Sequence, residues 1–156
     1  MSVHRATVAW TWDGGDFTGR RYSRAHTLAF DGGLTVAGSP SPHIVPAPYS
    51  RVDAVDPEAA FTAALSACHM LWFLDLAAQG GFTVAAYHDA AEGVLTRVAP
   101  GKMAMTRVTL RPAIRFEGPA PSEVEIAALH HAAHENCFIA NSVKTEVVVE
   151  SAGAAD

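Results

Sequence analysis

The stretch DPEAAFTAALSACHMLWFLDLAAQGGF, residues 56–82, predicts the long helix around which the fold is built. Asp56 can cap its first turn, Pro57 suits the first helical position, and Glu58 is favourable near the N-terminal end of the helix dipole. A glycine pair closes the stretch, so we expect a helix over residues 56–80. The segment is apolar on nearly every side, which predicts that it is surrounded by protein.

The residues before this helix are typical of β structure followed by a long loop. We place early strands in residues 1–37, where Val3–Trp12 alternates between apolar and other residues and Tyr22–Phe30 leads through a diglycine turn into a hairpin. Residues 38–55 contain four prolines. Because each proline removes a backbone donor, this segment cannot form a regular ladder and is predicted to be a loop.

After the helix, residues 81–150 are predicted to hold later strands, a second helix and a closing strand. The strands are expected at Phe82–Tyr87, Gly93–Thr96 and Arg107–Phe116.

The second helix is indicated by a capping box that begins at Ser122, and a short turn or helix should follow Cys137. The closing strand is expected over Lys144–Glu150, and residues 151–156 are interpreted as a frayed tail. The order of elements predicts one α+β domain over residues 1–156.

Composition narrows the function classes. Charged residues make up only 17% of the chain and apolar residues 49%, which indicates surface buried by self-association. A net charge of −5 argues against a nucleic-acid partner. The longest apolar stretch, Ala59–Leu74, has 16 residues, whereas a membrane span needs about 20, so no membrane role is expected. The N-terminus lacks a secretory apolar region, and we therefore expect a cytoplasmic protein.

Two cysteines are the candidate reactive groups. Cys68 lies inside the apolar helix, where a free cysteine is commonly a small core residue. Cys137 lies between a helix and a short turn, so the amides of that turn should point at its sulfur and lower its pKa, with His134 adding to the effect. In a reducing compartment the pair indicates a thiol couple rather than a static disulfide.

A peroxide reaction at a thiolate needs a cation beside the sulfur, which an arginine supplies best, and a carboxylate to hold that arginine. Glu58 and Cys68 are ten residues apart on one helix face, about 15 Å along the axis, a gap that an arginine could bridge in part.

A histidine-rich segment offers a competing interpretation as a metal site. His130, His131 and His134 precede Cys137 at spacings that suit a metal-binding helix face. The HExxH pattern is absent, and surface histidines on an amphipathic helix are the preferred interpretation. We therefore predict no metal and no cofactor.

Three segments together resemble the OsmC/Ohr family (osmotically inducible protein C-like, organic hydroperoxide resistance). Residues 56–82 resemble its cysteine-bearing helix, HENCFIANSVKTEVVVE (residues 134–150) resembles its second cysteine motif and closing strand, and YSRAHTLAFDGG (residues 22–33) resembles its early hairpin. The matched parts and their order cover most of the chain. The resemblance implies an α+β fold with antiparallel sheets wrapped around a long central helix, formed as an intertwined homodimer.

The resemblance also implies an activity, the thiol-dependent reduction of organic hydroperoxides and possibly hydrogen peroxide. Cys68 would be the attacking thiol and Cys137 the resolving thiol. Glu58 would match the family's helix-start glutamate, and Arg24 its hairpin arginine, with Arg21 as the alternative. A dithiol donor, such as a lipoyl-bearing protein, would regenerate the enzyme.

One position departs from the family pattern, because Phe138 stands where many members carry a proline after the second cysteine. Trp72 and Phe138 are our candidates for apolar walls of the substrate pocket. His69, next to Cys68, points to another side of the helix and is interpreted as a packing residue or one behind the site. The alternative function is a non-catalytic protein that binds a small molecule or lipid on the same fold.

Overall fold

The protein is described from a computed structural model, which covers residues 1–150. The chain forms two compact units, Met1–Ala60 and a second that begins at Phe61. Two helices and eight strands are present in the described residues, so the predicted α+β class is confirmed. The predicted tail lies outside the described residues.

The first unit carries an antiparallel three-stranded sheet in the order β1-β2-β3. Its strands are Ala6–Ala9 (β1), His26–Phe30 (β2) and Thr35–Gly38 (β3). The predicted first strand was too long, because only Ala6–Ala9 pairs with β2. Beyond it, Trp10 and Trp12 donate their indole N–H groups to the carbonyls of Ser23 and Gly15 at 2.9 and 2.8 Å.

The proline-rich loop is tied to this sheet at both ends rather than paired along its length. Ser39 N–H donates to the Val55 carbonyl at 3.1 Å, and Val55 N–H donates to the Ala37 carbonyl at 2.9 Å. Inside the loop, the Ser39 hydroxyl accepts from Arg51 N–H at 2.8 Å. The segment thus forms turns between its two hydrogen-bonded ends. This agrees with the prediction, because proline has no backbone N–H to donate to a strand.

The long helix α1 runs over Pro57–Gln79, within one residue of its expected bounds at either end. Asp56 Oδ1 accepts the Ala59 N–H at 2.8 Å, which satisfies a first-turn donor. One side of α1 is buried, through Thr62, Leu65, His69, Phe73 and Ala77. The opposite side is exposed, so this chain alone does not surround the helix as predicted; Ala64, Ala67, Leu71, Asp75 and Ala78 lie there.

Helix α1 is also long and apolar enough to cross a membrane by length and composition, with a mean hydropathy of 1.4 in its best window. The expectation that its apolar stretch is too short was therefore wrong. Core helices of soluble proteins meet the same criterion.

The second unit holds two further sheets. An antiparallel pair is formed by Thr83–Asp89 (β4) and Pro112–Glu117 (β7). The other sheet has the order β5-β6-β8, with strands Glu92–Ala99 (β5), Lys102–Leu110 (β6) and Glu146–Val149 (β8). The closing strand β8 runs parallel to β6, so the sheets are not purely antiparallel.

The strand predicted over Arg107–Phe116 is two strands in two different sheets. The break falls at Arg111, whose N–H donates to Asp89 Oδ1 at 2.6 Å instead of to a neighbouring strand. Pro112 follows and has no N–H to continue the ladder. The alternation of apolar residues continues across the break, so the sequence pattern predicted one continuous strand.

Helix α2 covers Glu123–Asn136 and begins with the predicted capping box, in which Ser122 and Glu125 exchange hydrogen bonds. The cores of the unit are formed by α1, α2 and the two sheets. One core gathers Phe73, Ala77, Ile114 and Ala133, and the other Leu65, Val108 and Leu110. This packing fixes the rotation of α1 and hence which of its side chains face outward.

Candidate functional site

Two thiols from distant parts of the second unit lie side by side. Cys68 is in the middle of α1, Cys137 directly follows α2, and the two thiols are close enough for Cys68 to raise the pKa of Cys137. Both are free thiols. Cys137 is 1% exposed, whereas Cys68 is only partly buried. The pair is therefore asymmetric, with one sulfur open to small molecules and the other enclosed.

The environment of Cys137 raises its pKa, contrary to the sequence prediction. Burial is the largest cause and, with the hydrogen bond to Cys68, raises the pKa of the Cys137 thiol to about 11. The predicted turn amides are present, since Ala140 N–H points at the sulfur from 3.4 Å and the Ile139 amide also lowers the pKa. Their effect is outweighed, so Cys137 is a protonated thiol at neutral pH.

Cys68 opens into an apolar groove on the exposed side of α1. The groove has a volume of about 550 Å³. Trp72 and Phe138, predicted as pocket walls, both line it and meet edge to face with ring centroids 5.4 Å apart. The other lining side chains are Ala64, Ala67, Leu71, Asp75 and Ile139. An apolar molecule can thus reach the Cys68 sulfur along this wall.

Phe138 follows Cys137 at the position where many family members carry a proline. Its aromatic ring is 69% exposed and forms part of the groove. A 3-10 turn, Ala140–Ser142, follows without it, and Asn141 N–H donates to the Cys137 carbonyl at 3.0 Å. The backbone after Cys137 is therefore held by these hydrogen bonds.

Arg24 and Arg21 lie in the first unit and have different partners. Arg21 forms an ion pair with Asp16. The Arg24 guanidinium donates to the carbonyls of Tyr22 and Arg20 at 3.1 and 3.2 Å and lies 4.2 Å from the centre of the Tyr22 ring. Among the ion pairs of residues 1–150, none involves Arg24.

Glu58 is the second residue of α1 and is partly buried. Its proposed role in holding an arginine stays a prediction.

A second buried pair links α1 to α2. His69 Nε2 and His130 Nδ1 are 3.0 Å apart, and the two residues are 1% and 4% exposed. Burial is the main cause that lowers the pKa of each imidazole to about 4, so both rings are neutral at pH 7. His69 is thus the packing residue that the sequence predicted.

The histidines of α2 do not form the expected surface cluster. His131 is exposed and His134 is partly buried, but His130 is in the core and bonded to His69. The surface interpretation was therefore wrong for His130, because this side of α2 packs on α1, where the His130 ring contacts the Phe73 ring. Within residues 1–150, no three histidine, cysteine or carboxylate side chains are grouped as metal ligands.

Sequence reasoning missed five residues of the groove: Ala64, Ala67, Leu71, Asp75 and Ile139. A helical signal was available for Leu71 and Asp75. Residues three, four and seven positions apart share a helix face, so Leu71 and Asp75 belong with Cys68. Ile139 had no such signal, because the turn after Cys137 decides where it points.

Known proteins similar to this chain include a protein family and several solved structures. The family model for OsmC-like proteins matches residues 50–152. An OsmC-like protein of unknown function from Vibrio cholerae is 52% identical, with a TM-score of 0.93 over 97% of this chain and 99% of that one. No curated protein matches the chain at a significant level.

More distant structures share the fold. An organic hydroperoxide resistance protein from Elizabethkingia anophelis is 18% identical, with a TM-score of 0.70 over 97% of this chain and 94% of that one. One from Bacillus subtilis is 15% identical, with a TM-score of 0.63 over 96% and 98%. The family match spans most of the chain, and the Vibrio cholerae protein is similar over nearly its whole length. This chain therefore belongs to the OsmC-like protein family.

Proposed function

We propose that the chain is a thiol-dependent peroxidase that reduces organic hydroperoxides, with Cys68 as the attacking thiol and Cys137 as the resolving thiol. The observation that carries the proposal is the pair of neighbouring free thiols, of which Cys68 lines an apolar groove and Cys137 is buried. A protonated thiol is a poor nucleophile, so the raised pKa of Cys137 favours Cys68 for the first step.

The reaction has three balanced steps. The Cys68 thiolate attacks the terminal oxygen of ROOH, the O–O bond breaks, and with one proton the products are ROH and Cys68 sulfenic acid. The Cys137 sulfur then attacks that sulfur as its proton passes to the departing hydroxide, so that water leaves as the disulfide forms. An external dithiol, such as a lipoyl group on a protein, returns both cysteines to thiols and is itself oxidised to a disulfide.

Arg24 is our candidate for the cation that stabilises the thiolate and the leaving oxygen, and Glu58 for the carboxylate that orients it. Arg24 is preferred to Arg21 because Arg21 already has Asp16 as an ionic partner. We place this chemistry in the cytoplasm, where dithiol donors are available.

We further propose a homodimer. The exposed side of α1 is apolar, with Leu71 62% exposed, and the low charge content fits a surface that a second copy covers. Sedimentation should give about twice the chain mass of 16.4 kDa, and a monomer at micromolar concentration would contradict the dimer.

The decisive test is Cys68→Ser with cumene hydroperoxide. Wild-type protein should lose two free thiols per equivalent of hydroperoxide, and Cys68→Ser should lose all activity because serine cannot be oxidised in this way. Full activity in Cys68→Ser would overturn the assignment. If the wild-type protein consumes no hydroperoxide but binds its alcohol product, the non-catalytic binding function is correct instead.

A further inference from the structure

The Arg24 side chain lies on an aromatic stack within the first unit. Its guanidinium carbon is 4.2 Å from the centre of the Tyr22 ring. The Phe17 ring is stacked on the Tyr22 ring, with the centroids 4.6 Å apart and the planes inclined by 25°. Two groups this close cannot share one face of a ring, so the Tyr22 ring lies between Phe17 and the Arg24 guanidinium.

A third aromatic residue holds the Tyr22 ring in place. Trp10 meets it edge to face, with the ring centroids 5.7 Å apart. The Trp10 indole is itself fixed, because its N–H donates to the Ser23 carbonyl at 2.9 Å. Aromatic pairs in these geometries are favourable beyond the apolar area that they bury. The ring beneath the guanidinium is therefore packed against two other rings.

Two backbone carbonyls also hold the guanidinium. Arg24 Nη1 donates to the Tyr22 carbonyl at 3.1 Å, and Nη2 donates to the Arg20 carbonyl at 3.2 Å. Arg20 has a φ of 63°, in the left-handed region that few residues other than glycine adopt, and such a conformation persists where the surrounding contacts require it. A ring face and two carbonyls are neutral partners, so these contacts orient the guanidinium and leave its charge intact.

We propose that Tyr22 is a positioning residue, whose ring holds the Arg24 guanidinium in the orientation that the proposed peroxidase uses. The inference rests on the proposed function and adds to it the side chain that orients the arginine. A cation stabilises a thiolate and a leaving oxygen best when it is fixed in place before the reaction. Removing the ring should therefore slow the same step that removing the Arg24 charge slows.

The kinetic experiment is a double-mutant cycle with cumene hydroperoxide. Tyr22→Leu should lower kcat/KM by about fivefold, the worth of one cation–π contact, and Tyr22→Phe keeps a ring and should stay within about twofold of wild type. In an Arg24→Gln background, Tyr22→Leu should cause no further loss beyond about twofold, because the cation that it positions is gone. An equal loss in both backgrounds, or no loss in either, would overturn the inference.

Tyr49→Leu is the matched control, because it removes another tyrosine ring of the first unit. Tyr49 contacts Arg24 through its backbone carbonyl, which accepts the Arg24 N–H at 3.0 Å and is kept in the variant. The value of kcat/KM should stay within about twofold of wild type. A loss as large as that of Tyr22→Leu would show that any tyrosine of this unit has the same effect, which contradicts the inference.

A spectroscopic measurement separates this inference from the proposed activity. The NMR signal of the Arg24 Nε–H group, assigned by its loss in Arg24→Gln, should lie upfield in wild type and Tyr22→Phe because of the ring current. It should move downfield in Tyr22→Leu and stay in place in Tyr49→Leu. If no variant consumes hydroperoxide, the peroxidase function fails, while this shift still supports the placement of Arg24 by Tyr22. A signal that Tyr22→Leu leaves unchanged would overturn that placement, whatever the activity.

Discussion

Two neighbouring residues of α1 contact residues in or next to α2, and the two contacts differ in residue type and in exposure to solvent. Cys68 meets Cys137 beside the groove, and His69 meets His130 in the core. Adjacent residues of a helix point about 100° apart, so one step along the chain separates the two environments. The cysteine pair has one member open to solvent, whereas both histidines are enclosed.

The difference shows what burial does to ionisable groups that face each other. In both pairs burial disfavours the charged form, which leaves Cys137 as a thiol and both histidines as neutral rings. Only Cys68 escapes this enclosure. The thiol pair thus leaves one sulfur accessible, as the proposed reaction requires, and the histidine pair joins α1 to α2.

The largest effect should come from removing the enclosed thiol. In Cys137→Ser and Cys137→Ala, multiple turnover with a dithiol reductant should fall by at least about a hundredfold, because the sulfenic acid has no partner beside it. The first turnover should stay within about threefold, since Cys68 still attacks. Rapid-mixing and steady-state assays measure the two rates.

Loss of the first turnover in the same variants would contradict this division of roles. His131→Ala is a suitable control, because His131 is an exposed residue of α2 outside both pairs.

A smaller effect should come from the cation. The thiolate needs a positive partner and the neutral histidine pair does not, so Arg24→Gln should lower kcat/KM by about thirtyfold while leaving the unfolding midpoint close to wild type. Arg24→Lys should recover part of the rate, because charge is kept and the planar fork is lost.

Arg21→Gln serves as the matched control for Arg24. It should change kcat/KM less than about threefold, because the Arg21 charge is already paired with Asp16. The order of the two effects would be reversed if Arg21 were the catalytic cation. The rate of Cys68 alkylation at one fixed pH gives a second readout, and it should fall only in Arg24→Gln.

Much of the fold was predictable because local signals agree with it. The Asp56 cap, the proline start and the glycine stop set α1, and the Ser122 capping box sets the start of α2. The break at Arg111 could not be predicted, because it depends on a hydrogen bond to Asp89, far away in sequence. The parallel pairing of β8 with β6 is likewise a choice made by the tertiary fold.

The candidate site also has features that the sequence predicted and features that it did not. The two cysteine motifs were visible in the sequence, as were Trp72 and Phe138 as apolar neighbours. Burial was not visible, and burial decides that the pKa of Cys137 rises and that His130 lies in the core. Local spacing can place a side chain on a helix face, but the face that is covered depends on the sheets that pack against it.

The histidine pair offers the last test of the comparison, through acid stability. Each imidazole has a folded pKa near 4 against a usual value of 6.5, so the unfolded chain binds protons first as the pH falls. Stability should therefore be full above pH 6.5 and decrease between 6.5 and 4. From pH 7.5 to 5, urea unfolding should show a loss of about 2 kcal/mol for one ring, and more for the pair.

His130→Gln separates this effect from general acid destabilisation. It keeps a hydrogen-bonding side chain opposite His69 and removes one of the two titrating rings, so the dependence on pH between 6.5 and 5 should become shallower. His134 lowers the pKa of His69 and Asp89 raises that of His130, so neither should be changed in the same variant. His131→Asn should keep the wild-type slope. An unchanged slope in His130→Gln would show that the buried rings are not what couples folding to protons.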